Sequence, residues 1–459
     1  MRYLLGLLVV AALAAGGAYI YAGQMPGPAI EIVKPAKFIG QTTTVEVTLK
    51  APDAVYVGDF QIAFEQNGKQ TPLVSFAQPG TAEIKQEAPG LVRITRTFGR
   101  DAIPDLKSGP ARIVVSAERP VLYGMRKTSS TVARDVQVRL ERPQIAVLST
   151  KHYLNLGGSE MVVYRATPAD VASGVRVGDL EYPGYPASGA KIEGVNITDP
   201  AVKIAFIALR YDQDVNTPMH AFARDEAGNS ARADFDRLTF PKPFKKSRIP
   251  LDDKFLDRVV PAILETTNEV NPQGSTLEKF LVINGELRKK NADKIASYAG
   301  QSVPEILWGG AAFVPFGNAT VEAAFADQRT YVYGGKDVDR QTHLGFDLAR
   351  VVNSPIQAGN RGKIVHAGPL GIYGNCVIID HGMGVQSLYA HLSSIRVNVG
   401  DMVEKAQELG RSGMTGLAGG DHLHFTQLIN GQMVNPVEWW DAHWIQDRIL
   451  RKLRDASGS

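Results

Sequence analysis

Histidine distribution constrains this chain more than any other feature. Of its nine histidines, only His152 and His220 precede the stretch from about Thr342 to Trp440. That stretch carries Thr342-His343-Leu344-Gly345-Phe346-Asp347, Tyr389-Ala390-His391-Leu392 and Asp421-His422-Leu423-His424-Phe425. These strings lie in or beside short apolar runs that read as strands. The fold must therefore bring imidazoles and carboxylates together on strand faces. These are the borderline nitrogen and oxygen ligands zinc prefers, and three protein ligands plus one open position make a catalytic centre. The pattern points to a zinc (Zn2+) hydrolytic centre.

The spacing refines this. His343 and Asp347 are four apart, but Gly345 between them and the β-rich surroundings argue against one helical turn. The chain contains no H-E-x-x-H string, so a helical zincin site is excluded. His422 and His424 are two apart, which on a strand sends both imidazoles to one face and Leu423 to the other. By the same argument Tyr389 and His391 share a face. His366, His381 and His443 read as satisfied core or surface histidines. Cys376, the single cysteine, reads as a small buried hydrophobe on a strand and rules out an internal disulfide.

Elsewhere the chain reads as mainly β. Residues 1–23 form an N-terminal signal or membrane anchor. Arg2 precedes an uncharged run from Tyr3 to Ala22, about the 20 residues needed to cross a bilayer. Ala12-Leu13-Ala14 is a cleavage candidate, and Tyr19 and Tyr21 suit a membrane interface. Either way the body is expected to be exported and periplasmic, anchored to the inner membrane by residues 3–22 or released by cleavage of a signal peptide. Residues 29–142 alternate apolar and polar, as in Val45-Glu46-Val47-Thr48-Leu49, and predict a β-sandwich. Residues 143–240 predict a second, immunoglobulin-like sandwich, ending near the turn Asp225-Glu226-Ala227-Gly228-Asn229. Residues 241–302 read as a helical linker, with a capping box at Ser275-Thr276-Leu277-Glu278. Pro261 is expected to break or kink the run carrying Leu256, Val260 and Ile263. Residues 303–440 form the histidine-bearing domain, and 441–459 an amphipathic helix with Arg448, Arg451, Lys452 and Arg454 on its outer surface. A formal net charge of +3 with no basic run argues against nucleic acid as a partner.

The strings from Gly371 to Pro436 resemble the lysostaphin/LytM-type zinc endopeptidases, the M23 peptidases. They include Tyr373-Gly374-Asn375, Val377-Ile378-Ile379-Asp380-His381-Gly382, Leu388-Tyr389-Ala390-His391-Leu392-Ser393, His422-Leu423-His424-Phe425 and Val434-Asn435-Pro436, with His343-x-x-x-Asp347 upstream. The resemblance covers His343 to Pro436. It implies an antiparallel β metallopeptidase domain in which His343, Asp347 and His424 bind zinc and His391 and His422 are catalytic. The implied substrates are the peptide cross-links of bacterial peptidoglycan. The family often has Phe-Gly-x-Arg before the first histidine, where this chain has Phe325-Ala326-Asp327-Gln328-Arg329. Arg329 is the candidate for that arginine. Asp421 stands where a proline is common. The alternative is a non-catalytic wall-binding or regulatory module that activates other cell-wall enzymes.

Overall fold

The computed structural model describes residues 2–51 and 58–458. The chain forms two compact units, Met1–Pro143 with Arg224–Ala231, and Gln144–Ala223 with Arg232–Ser459.

The first unit begins with a helix, Arg2–Gln24, that bears no acidic residue in its first turn and no basic residue in its last. Leu5–Gln24 is long and apolar enough to cross a membrane. Two sheets follow. One pairs Ala29–Lys34, Thr42–Lys50, Leu91–Gly99 and Glu83–Ala88, and the other pairs Phe38–Ile39, Arg126–Val138, Gly109–Val121, Asp59–Gln66 and Lys69–Ser75. Alternation on the strands delivers Val45, Val47 and Leu49 from the first sheet and Ile62, Ile113 and Val115 from the second into one core. The Asp225–Asn229 turn, where Asp225 Oδ1 accepts from the Asn229 amide at 2.8 Å, belongs to this unit although the sequence places it at the end of the following block.

In the second unit, strands Ser159–Thr167 and Val202–Ala208 pair antiparallel. Both are almost wholly buried, because each has a packed layer on either side. One apolar cluster joins Val163, Val175 and Phe206 to Trp439, Ile445, Ile449 and Leu453 near the C-terminus. The regions drawn from sequence as 143–240 and 303–440 therefore share a core. Polar groups sew the same seam. Glu438, deep in that core, accepts from the Ser159 amide at 2.8 Å and from Asn155 Nδ2 at 2.9 Å. Lys452 lies buried with its Nζ 2.8 Å from Glu160 Oε1, not on the outer surface that helical spacing assigns it. Spacing along one helix cannot reveal a carboxylate supplied from nearly 300 residues away.

The intervening helices are α1 (Asp253–Thr266), α2 (Thr276–Val282) and α3 (Arg288–Ser297). The Ser275/Glu278 capping box opens α2. Between α2 and α3, Ile283–Leu287 widens into a π-turn around Gly285, the residue with the weakest helix propensity in that run. Helix α1 runs through Pro261 rather than ending there. Pro261 is exposed, so water can serve the carbonyl it leaves without a donor, while Leu256, Val259, Val260 and Ile263 are buried on the inner side.

The histidine-bearing sheet has the order Thr320–Ala323, β1 (Phe346–Ala349), β5 (Leu423–Ile429), β4 (Val385–Leu392), β3 (Asn375–Asp380), β2 (Gly362–Pro369) and Met402–Val403, with Gln432–Val434 added beside β5. Neighbouring strands in this sheet run antiparallel throughout. Strands β3, β4 and β5 are buried on both faces, which makes the sheet a rigid platform.

Candidate metal centre

The register of the sheet builds the centre. On β1 and β5, Asp347 and His424 are direct cross-strand partners, so their side chains rise from one face side by side. His343 ends the strand Lys336–His343, and the chain turns back through Leu344-Gly345 to reach Asp347. Gly345 is required there. A Cβ on it would lie 2.5 Å from the His424 ring.

The three ligand-type atoms converge. His343 Nε2 lies 2.9 Å from Asp347 Oδ1 and 3.0 Å from His424 Nδ1, and His424 Nδ1 lies 2.9 Å from the same carboxylate oxygen. All three residues are buried. Partners behind the rings fix which nitrogens carry protons. His343 Nδ1 donates to Ala324 O at 3.2 Å, leaving Nε2 as a lone pair. The Thr426 hydroxyl donates to Leu344 O at 3.1 Å, so at 3.0 Å it accepts from His424 Nε2 and leaves Nδ1 as a lone pair. Two lone pairs and a carboxylate oxygen aimed at one point are a donor set for a divalent cation and repel one another without one. Tetrahedral zinc ligands stand about 3.3 Å apart, so a few tenths of an ångström of outward movement admits the ion.

Arg329 supports the carboxylate from the far side, donating from Nη2 to Asp347 Oδ2 at 2.9 Å. Burial opposes the charge of Asp347, but the imidazoles, His343 first, outweigh it and hold the carboxyl well below its usual range. Burial pulls His424 down to about 4 against the attraction of Asp347. Both shifts favour the deprotonated forms that bind metal.

His391 and His422 border this point. Each donates its Nδ1–H to a backbone carbonyl, Thr415 O at 2.8 Å and Gly420 O at 2.9 Å respectively. Each therefore keeps Nε2 as an acceptor. Their ring centroids are 4.9 Å apart, and His422 Nε2 is 3.4 Å from Asp347 Oδ1. Burial, then the charge of neighbouring imidazoles, pushes His391 well below the usual imidazole value. Burial also works on His422, but Asp347 outweighs it and the net shift is upward. His422 and His424 reach the same cleft, while Leu423 enters the apolar core.

The expectation that Tyr389 shares a face with His391 is corrected. Tyr389 pairs with Phe425, and Ala390 with His424, so Tyr389 points away from the centre. Its hydroxyl accepts from the Gly359 amide at 2.6 Å. His391 escapes the alternation because its backbone is left-handed, φ 63°, and this swings the ring to the His424 side. The left-handed region costs a residue with a Cβ about 1–2 kcal/mol. Histidine enters it more readily than most residues.

Of the remaining candidates, Asp421 does not touch the His422 ring. It accepts from Ser412 Oγ at 2.6 Å and from the Asn353 amide at 3.2 Å, tying two loops of the rim. His366 bonds Tyr298, His381 is enclosed, and the His443 side chain is fully exposed. Sequence reading assigns no role to Thr426 and takes Arg288-Lys289-Lys290 as a solvated helix or linker face, which is corrected for Arg288, half-buried in the cleft wall. Thr426 follows His424 by two, the strand spacing that makes neighbours on one face, and this was the available signal. Arg288 left none, because its approach depends on how the helices dock. Together the five residues, with Arg288, Arg329 and Tyr373, line a cleft of about 120 Å³.

Residues 341–436 match the model for Peptidase family M23. The C-terminal domain is an M23 peptidase domain. The chain is 44% identical over 95 residues to DD-carboxypeptidase/endopeptidase Mpg of Neisseria meningitidis serogroup B, covering 21% of this chain and 22% of that protein. It is 35% identical over 96 residues to peptidoglycan DD-endopeptidase ShyA of Vibrio cholerae serotype O1, again covering 21% and 22%. To lysostaphin of Staphylococcus staphylolyticus it is 39% identical over 90 residues, 19% of each chain. The similarity thus spans about a fifth of the length of these relatives.

Proposed function

We propose that the chain is a zinc-dependent endopeptidase that hydrolyses peptide bonds in bacterial peptidoglycan. The reading rests on one observation. His343 Nε2, Asp347 Oδ1 and His424 Nδ1 aim at one point, with the acceptor nitrogens of His391 and His422 beside it. The M23 match and the name of one relative, peptidoglycan DD-endopeptidase ShyA, support the substrate class.

His343, Asp347 and His424 would hold the ion, and zinc so held supplies Lewis acidity, activating water near neutral pH and polarising the scissile carbonyl. The protein's own groups handle the protons. Among the described residues no glutamate lines the cleft, so Nε2 of His391 or His422 takes a proton from the attacking water. As the water oxygen bonds to the carbonyl carbon and the C–N bond breaks, that proton passes to the leaving amine. The partner imidazole, protonated at Nε2, donates to the developing oxyanion. Arg329 keeps Asp347 oriented throughout. The Arg2–Gln24 helix would carry or anchor the body outside the cytoplasmic membrane, where its substrate lies.

The test is digestion of purified sacculi by the zinc-loaded full chain, with mass spectrometry of the released products. Peptide cleavage that disappears in His391→Ala supports the reading. Intact sacculi from several wall types, with zinc bound stoichiometrically, would overturn it in favour of a non-catalytic module.

A further inference from the structure

The metal cleft is not walled by the M23 residues alone. Arg288, at the start of α3 and more than 50 residues before the matched segment, lines the cleft together with His343, Asp347 and His424. It is half-buried. Asn284 in the π-turn holds one edge of its guanidinium. Arg288 Nε donates to Asn284 O at 3.1 Å, and Nη2 donates to Asn284 Oδ1 at 2.5 Å. Asn284 is itself fully buried and fixed, its Nδ2 donating to Asp339 Oδ2 at 2.7 Å. The π-turn is what makes this brace, since it brings the Asn284 side chain and carbonyl together toward the guanidinium one turn on.

The charge of Arg288 is unmatched. Among the described residues no carboxylate lies within ion-pair distance of it, whereas Arg329 in the same cleft pairs with Asp347. Tyr373 lines the same cleft; burial pushes its phenol up to about 12 and the Arg288 charge pulls it the other way. An arginine held by neutral groups at its back, with Nη1 unclaimed, presents a fork suited to a planar anion.

We propose that Arg288 is the specificity-determining anchor for a carboxylate of the substrate peptide, placing the scissile bond over the metal centre. This rests on the endopeptidase reading for the identity of the substrate, but not for the existence of the anion site. Stem peptides of peptidoglycan carry free carboxylates at the C-terminus and on side chains, and the test separates a terminal carboxylate from its neutral amide.

The experiment uses the zinc-loaded full chain and two probes, N-acetyl-D-alanyl-D-alanine and its C-terminal amide. Binding is followed by calorimetry, and hydrolysis of peptides ending in the same two forms is followed by kinetics. Wild type should bind the acid more tightly than the amide by about 10-fold or more, the scale of a charge-assisted bidentate contact. Arg288→Met should erase that preference and Arg288→Lys should restore part of it. All three proteins should keep one zinc and the same Tm within a few degrees. In kinetics the loss should fall on KM for the acid and spare kcat. Equal binding of acid and amide by wild type, or a preference that survives Arg288→Met, overturns the proposal. Should wild type prefer the acid yet cleave nothing, the anchor stands and the endopeptidase reading falls.

Discussion

Two buried histidine sites, one of them a lone ring, belong to the same sheet, and they differ in how their nitrogens are used. At the end of β3, His381 Nδ1 donates to Arg361 O at 2.8 Å and its Nε2 sits 2.7 Å from Ser387 Oγ, with Tyr389 Oη 3.0 Å beyond. Every ring nitrogen there ends on a polar protein atom, and Phe313 closes the pocket edge-on. At the other site the rings of His343 and His424 are backed by Ala324 and Thr426, and their other nitrogens crowd together on a single oxygen of Asp347. Burial is the same in both. Partner accounting separates a core histidine from a candidate ligand, since two lone pairs and a carboxylate oxygen gathered at one point have no proton to share and call for a cation.

The contrast can be broken most forcefully at the ligands. Replacing His343 with alanine should abolish stoichiometric zinc by elemental analysis and lower peptide hydrolysis by at least about 10³-fold, because several kcal/mol of charge stabilisation leave with the ion. Retained zinc and activity in that variant would sink the assignment. Next come the bordering imidazoles. His391→Ala and His422→Ala should each lose about 10²–10⁴-fold in kcat, the usual contribution of general acid–base catalysis, while zinc content stays at one per chain. A smaller effect is expected behind the ligand. Thr426→Val removes the acceptor that holds His424 in its ligating tautomer and should weaken zinc about 10–100-fold in a chelator competition.

The smallest effect on the metal should come from His381→Gln, with zinc affinity and kcat changed by less than about threefold, as for a residue outside the catalytic groups. Its signature lies in stability. Burial lowers the folded pKa of His381 to about 4 from an ordinary 6.5. As pH falls below 6.5 the unfolded chain takes up this proton and the folded chain does not. The contribution is therefore complete above pH 6.5 and is lost progressively toward pH 4, on the order of 3 kcal/mol in all. Denaturant unfolding of both proteins in chelator should show a shallower decline across that window for the variant. An unchanged slope would mean that His381 titrates freely.

Much of the centre was legible in the chain. The i, i+2 spacing of His422 and His424, the glycine-interrupted His343-to-Asp347 string and the M23-like strings are local properties, and local sequence carries them. Strand alternation likewise marked the two-sheet body of 29–142, and the Ser275/Glu278 capping box marked a helix start. Alternation failed at His391, because nothing in Tyr-Ala-His-Leu announces a left-handed residue. It was also silent on Lys452, whose charge is balanced by a residue on a distant strand.

By itself, then, the sequence determined which residue types are available, which segments are extended or helical, and that a membrane-length apolar helix leads the chain. Tertiary structure alone decided that Asp347 faces His424 across a ladder, that His391 turns inward, that Arg329 braces the carboxylate and that Arg288 reaches the cleft. The physical reason is range. Periodicity and capping act over a few residues along the chain, whereas a ligand set, a buried ion pair or an anion site is an agreement in space among groups tens to hundreds of residues apart, fixed only once the sheet has registered and the helices have docked.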